Sequence, residues 1–365
     1  MKVNSNALVF YGGGLCDSAG YYIAEFAQKL KRQALFNKVY VGFYSFRCLV
    51  YSEFVKEWSD SLYEQAQKSS GGFFGTARET NLADSKKPEL MKNAIKICKS
   101  RKIKWIFLAG GDGSARQMSE IVDSFEKAGI HFVFTMPMTI DGIEGGYSFG
   151  INAAVRVSLE RIKDCVSTSL RTLDGNKFPA LTVILQGRNR NDILANVLDK
   201  LDKMDRIGDF TKDEIDIIAI PTGCDWRKDG GGRLVPKYIG ESDYEMYSKP
   251  KLILVSEGAK FPKKGKNIEK YTQVKTRVSI VAHESQMNGL TTDADRHDID
   301  VMIDRSMDII RKNMKSKKSY TIVVNPENFD MYCEGPHYFA ERNPRKGLHP
   351  KLAPSLDECL RKYYP

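Results

Sequence analysis

Paired cysteines, clustered histidines and long apolar runs are all missing from this chain. Its seven cysteines are odd in number and scattered, without Cys-x-x-Cys pairs or metal-ligand spacing. That pattern excludes a disulfide framework and predicts reduced thiols in a cytoplasmic compartment. The five histidines form no His-Glu-x-x-His cluster, so a zinc site is not expected. No apolar run reaches the roughly 18 residues that a membrane span needs. The first residues, MKVNSNALVFYGGG, lack an apolar signal region with a small-residue cleavage site. Acidic residues are outnumbered, 46 against 56 basic ones, which leaves a formal charge of +10. The surplus raises nucleic acid as a partner. Yet the basic residues spread along polar helix faces (Lys29, Lys31, Arg32; Lys86, Lys87, Lys92, Lys96, Lys99), and no nucleic-acid-binding motif accompanies them. They read as solvated surface and anion pockets.

What is there centres on residues 104–150. The apolar run Trp105–Ala109 breaks into Gly110-Gly111-Asp112-Gly113-Ser114 and then a helical pattern. Strand, glycine turn and helix is how α/β proteins offer backbone N–H groups and a helix N-terminus to a phosphate. A second run, His131–Met136, breaks at Pro137 and delivers Thr139-Ile140-Asp141. A phosphoryl transferase needs one anion to hold a metal on the nucleotide and another to take the acceptor hydroxyl's proton. Asp112 and Asp141 are candidates for these roles. Taken alone, Asp141 is equally a turn aspartate, and GGDG leaves the acceptor open, because NAD kinases and diacylglycerol kinases carry it too.

Along the chain, nearly all-apolar strands alternate with helices. Leu8–Tyr11 runs into Gly12-Gly13-Gly14 and the helix Tyr21–Arg32; a glycine-rich loop at 71–77 ends in Arg78. After Gly150 come a helix carrying Lys163, then Arg171, and a strand Ala180–Leu185 closing on Gln186-Gly187-Arg188. Leu252–Val255 leads to Glu257, Val278–Ala282 to His283, and Tyr320–Val324 is a late strand before a C-terminal helix, Ser355–Tyr364. Residues 224–233 and the lysine-rich 260–275 read as surface excursions. This alternation predicts an α/β protein of two Rossmann-like lobes with parallel-rich sheets. Ligands collect beyond the carboxyl ends of such strands. Gly13, Asp112, Asp141, Arg188, Glu257 and His283 all stand at such ends, which predicts an active-site cleft between the lobes.

With these residues in view, the chain resembles the 6-phosphofructokinase family (phosphofructokinase A type) from Leu8 to about Asp308, most closely at GGDGS and TID. The resemblance implies that Gly13 and Arg78 touch the nucleotide phosphates together with Gly111, Gly113 and Ser114, and that Asp112 holds Mg²⁺. It implies Asp141 as the base on the sugar's 1-hydroxyl, with Thr139 and Arg188 beside it. Gln186, Gly187, Arg188 and Glu257 would bind fructose 6-phosphate, and Arg171, Arg277 and His283 would grip its 6-phosphate. In the family the two arginines come from a neighbouring subunit, which implies a dimer or tetramer. Two arginines and a histidine suit a dianionic phosphate on chemical grounds as well. Residues 1–150 with about 290–320 would form the nucleotide-binding lobe, and 151–289 with about 321–365 the sugar-phosphate lobe.

The chain departs from the family pattern at several places. Gly142 replaces the second aspartate of TIDND, with Glu144 nearby, and the block after His283 reads Glu284-Ser285-Gln286-Met287-Asn288. Arg47 stands where a nucleotide-stacking tyrosine is common; a guanidinium can also stack on adenine. Gly113 is the ATP-type residue, and Met138 brings no charge to a pyrophosphate leaving group. The expected activity is ATP- and Mg²⁺-dependent phosphorylation of fructose 6-phosphate. The alternatives are a catalytically weak paralogue that binds nucleotide or sugar phosphate, a pyrophosphate-dependent enzyme, or a kinase for another acceptor.

Overall fold

A computed structural model describes residues 4–13, 16, 18–69, 72–77, 81–84, 86–139, 148–171, 179–185, 191–224, 226–228, 234–236, 249–259, 276–281, 291, 293–325 and 329–342. The chain divides into two compact units, Met1–Ala153 with Gln286–Arg345, and Ala154–Ser285 with Lys346–Pro365.

The first unit is built on β1 (Asn6–Gly12), β2 (Val39–Gly42), β3 (Val55–Glu57), β4 (Ile103–Gly110), β5 (His131–Pro137), β10 (Tyr320–Val324) and β11 (Met331–Glu334). These make one sheet of seven strands in the order β11-β10-β5-β4-β1-β2-β3. The five inner strands are parallel, and only the edges β3 and β11 pair antiparallel. Every residue of β1 is buried, which a strand tolerates only if both faces are covered. Its side chains alternate accordingly: Ala7, Val9 and Tyr11 enter one core, Leu8 and Phe10 the other. Helices α1 (Ala19–Arg32) and α6 (Asp293–Asn313) fill the first core. Helices α2 (Pro88–Ser100) and α3 (Asp112–Lys127) fill the second. Phe107 and Phe132 are fully buried, one in each core, and each burial stabilises by roughly 1.5–3 kcal/mol.

The lobe boundary expected near residue 321 is corrected here. β10 pairs parallel with β5, so Tyr320–Glu334 belongs to the first unit. The reason is physical: all five residues of β10 are buried, and β5 offers it a free row of backbone hydrogen-bonding groups.

The second unit carries a four-stranded, all-parallel sheet of β6 (Ala180–Leu185), β7 (Asp216–Ile220), β8 (Lys251–Ser256) and β9 (Thr276–Val281), in the order β9-β6-β8-β7. Helix α4 (Ile151–Leu170) meets β9 where Arg161 Nε donates to Ser279 Oγ at 3.0 Å. Helix α5 (Asp192–Asp202) packs against β8. Within the excursion expected at 224–233, Trp226–Lys228 pairs antiparallel with Leu234–Pro236. None of the six described cysteines is in a disulfide, and burial pushes the Cys98 thiol up to about 12. No described helix is long and apolar enough to cross a membrane.

Candidate functional site

At the carboxyl ends of β1, β4 and β5 the backbone is drawn unusually close. The register sets Gly12 beside Gly110 and Gly110 beside Pro137. A Cβ on Gly110 would fall 2.0 Å from the Gly12 carbonyl oxygen, so no side chain fits there. Gly13, at φ +121°, holds a left-handed conformation open to glycine but strained for other residues. Buried Ser114 lies under this corner; its Oγ would sit 2.8 Å from a Cβ on Gly12 and 2.7 Å from one on Gly110. The glycines therefore do more than turn the chain. They bring the head of α3 against the strand ends.

Gly111 is the N-cap of α3 and Asp112 its first residue. Three features converge at this head: first-turn N–H groups, the positive end of a 16-residue helix, and a carboxylate. Asp112 Oδ2 meets Arg116 Nη2 one turn on, at 3.3 Å, with both side chains half-buried. Gly113 differs from Gly110, because a Cβ there would meet nothing within 4 Å. Packing does not demand glycine at 113.

Thr139 is brought to the same place. A Cβ on Gly111 would lie 3.1 Å from the Thr139 Cβ. Met138 N donates to Gly110 O at 2.9 Å, Thr139 N to Phe149 O at 2.8 Å, and Ser148 Oγ to Thr139 O at 2.9 Å. Tyr11 Oη adds a bond to Met138 O at 3.2 Å. Met138 itself is fully buried. Arg47, considered for stacking on adenine, lies over the rings of Tyr51 and Phe54 at 5.2 and 5.7 Å.

In the second unit Glu257 follows β8 directly; its N–H donates to Leu185 O at 2.9 Å and its side chain is exposed. Arg171 and Arg277 both sit by the C-terminal end of α4, where the helix dipole favours cations. Arg277 Nη1 approaches Thr168 O at 3.5 Å. Arg171 Nε is 3.5 Å from Asp209 Oδ2, and its guanidinium covers the Phe210 ring at 5.2 Å. Register separates Arg277 from Glu257. Arg277 pairs with Leu181 and Ser256 with Leu185, so Glu257, one residue on, stands five residues, about 16 Å of strand, from the level of Arg277. Within one chain the structure does not bring them together. Lys163 is exposed on α4.

Residues 6–175 match the model of the Phosphofructokinase family. This segment is a phosphofructokinase-family domain. The fold of the whole chain agrees. The T-state crystal structure of Pichia pastoris phosphofructokinase superimposes with a TM-score of 0.69 at 15% identity, over 93% of this chain and 38% of that one. Saccharomyces cerevisiae phosphofructokinase gives 0.68 at 15% identity, over 93% of this chain and 45% of that one. The pyrophosphate-dependent phosphofructokinase of Marinobacter aquaeolei gives 0.63 at 14% identity, over 99% of this chain and 91% of that one. The chain thus spans less than half the length of the two yeast enzymes. At such identities the likeness speaks for the fold. No curated protein matches the chain in sequence.

Within the phosphofructokinase domain, the described residues contain no group of three or more His, Cys, Asp or Glu side chains that could hold a metal. A Mg²⁺ ion that arrives with a nucleotide needs only one or two carboxylates, its remaining positions being filled by phosphates and water. Asp112, half-buried at a glycine-framed helix head with open space over Gly113, fits that demand. Arg78, Asp141, Gln186, Gly187, Arg188 and His283, with Glu144, lie outside the described residues. Sequence reasoning missed Arg116 as the partner of Asp112, although an arginine one helical turn after a carboxylate is a readable signal. It also missed the tie that Asn191 makes to Thr222 and Ser256.

Proposed function

We propose that this protein is an ATP- and Mg²⁺-dependent 6-phosphofructokinase that converts fructose 6-phosphate to fructose 1,6-bisphosphate. The observation that carries the reading is the corner where Gly12, Gly110 and Gly111 bring Asp112, Ser114 and Thr139 together at the head of α3. That head offers N–H donors to a phosphate chain, together with Gly13 and Arg78. Mg²⁺ held there by Asp112 would neutralise charge on the phosphates. Thr139 is bonded on both sides, which fixes the start of the segment that carries Asp141 two residues later. Asp141 takes the proton of the sugar's 1-hydroxyl as its oxygen bonds to the γ-phosphorus and ADP leaves. Arg188 stabilises the charge on the transferring group. Gln186, Gly187 and Glu257 hold the sugar.

Arg171, Arg277 and His283 are assigned to the 6-phosphate. The distance of about 16 Å between the levels of Arg277 and Glu257 supports an arrangement in which the arginines serve a neighbouring subunit's sugar site. The protein would then be a homo-oligomer, a dimer or tetramer acting in the cytoplasm.

A second reading changes only the donor. The chain covers 91% of the Marinobacter enzyme, named as pyrophosphate-dependent, against 38% and 45% of the yeast enzymes. Gly113 and the buried, neutral Met138 favour ATP. The deciding assay couples formation of fructose 1,6-bisphosphate to a readout, with fructose 6-phosphate, Mg²⁺ and either ATP or pyrophosphate. Turnover with ATP alone is expected. Turnover with pyrophosphate alone replaces the donor. Silence with both, from folded protein, rejects the fructose 6-phosphate kinase and leaves a kinase for another acceptor or a binding-only paralogue.

A further inference from the structure

Asn191 stands at the N-cap of α5, where an asparagine side chain ordinarily accepts from its own helix's first N–H groups. Here it makes no such bond. It is buried, and its amide is spent on two other strands: Oδ1 accepts from Thr222 N at 2.8 Å and from Ser256 Oγ at 3.0 Å, and Nδ2 donates to Thr222 O at 3.1 Å. A backbone N–H can only donate and a carbonyl only accept, so the two bonds to Thr222 fix which way the amide faces. Thr222 lies just past β7, and Ser256 ends β8 immediately before Glu257. Leu185, the last residue of β6, accepts from Glu257 N.

We infer that Asn191 is a positioning residue for the sugar-phosphate side of the site, which holds Glu257 in place through its neighbour Ser256; this rests on the phosphofructokinase reading above. The helix forgoes its own cap for this tie. A residue that served only α5 would cap it.

The test measures KM for each substrate, with calorimetric binding of fructose 6-phosphate alongside. Asn191→Ala is expected to raise KM for fructose 6-phosphate roughly tenfold, the scale of lost buried hydrogen bonds, and to leave KM for ATP unchanged. Ser256→Ala, which removes one arm only, should give a smaller shift in the same direction. Asn191→Asp supplies a readout of chemistry: its neutral acid keeps the amide's pattern, donating to Thr222 O, whereas its carboxylate sets a charge against that carbonyl. Its KM for fructose 6-phosphate should approach that of wild type at low pH and climb as pH rises, relative to wild type at each pH. Active wild type with a folded Asn191→Ala whose constants are unchanged overturns this inference alone. So does an equal rise in both KM values, the mark of a general loss of structure. Wild type that binds fructose 6-phosphate without turnover rejects the kinase; weaker binding by Asn191→Ala would then still uphold the inference. Wild type that neither binds nor turns it over overturns both readings.

Discussion

The carboxyl ends of the two sheets solve one problem by opposite means. In the first unit the ends of β1 and β4 are bare glycine, and backbones approach until no Cβ fits at Gly110. In the second, a buried asparagine amide spans the ends of β7 and β8. Bare backbone leaves N–H groups exposed for a phosphate chain, whose oxygens only accept. An amide tie leaves no such N–H groups but holds neighbouring side chains in fixed register, which suits a sugar with distinct hydroxyls. The contrast teaches that strand ends can be joined by bare backbone or by a side-chain amide, and the function proposed above assigns the first to the phosphates and the second to the sugar.

The sharpest way to break the comparison is Asp141→Asn, which asks whether chemistry resides at the glycine end. Turnover should fall by about 10²–10⁴, the usual worth of a general base, with substrate affinities nearly kept. Steady-state rates near wild type would sink the assignment. Gly110→Ala comes next. Its Cβ collides with the Gly12 carbonyl, so a loss of about 3 kcal/mol or more is expected in the urea midpoint; an unchanged midpoint would mean the strand ends are looser than described. Gly113→Ala sharpens the point within the same loop. With open space around it, alanine should change stability by no more than about 1 kcal/mol, in the stabilising direction of helix propensity, while KM for ATP rises. Equal stability losses at 110 and 113 would erase the distinction between a glycine needed for packing and one needed for the ligand.

The smallest effect is expected at the opposite, amino end of the first sheet. His131 begins β5, its ring 5.0 Å from Trp105. Burial, aided by Lys317 and Lys104 and opposed by Glu126, holds its pKa below the ordinary 6.5. The fold thus favours the neutral ring. Its contribution to stability is present above pH 6.5 and is lost as pH falls through the lowered value. Thermal midpoints should drop on acidification through that range, and His131→Gln should flatten the drop by a small amount without touching KM. An identical pH profile in the variant would refute the role.

Much of the first unit was legible in the sequence. Apolar runs at Leu8–Tyr11, Trp105–Ala109 and His131–Met136 announce strands covered on both faces, and GGDGS announces a helix head after one of them. The local chemistry of glycine and of a helix start does not depend on distant partners. The antiparallel edges β3 and β11, the place of β10 beside β5, and the short ribbon at 226–236 were not legible, because pairing is chosen between segments far apart in sequence. Arg171 and Arg277 were named through the family resemblance; their place by the end of α4, and the five residues of register between Arg277 and Glu257, appear only once β9 is aligned with β6. Asn191 carried no signal in the sequence, because its side chain answers to Thr222 and Ser256.

By itself, then, the sequence determined which segments become buried strands, where the glycine turn lies and which carboxylate heads α3, since these follow from hydrophobic pattern and backbone sterics along a few consecutive residues. Only the tertiary structure decided which unit claims Tyr320–Glu334, which strand ends Asn191 ties and which groups share a level of the sheet. Those outcomes depend on buried hydrogen bonds between residues tens to hundreds of positions apart, and no local window of the chain contains both partners.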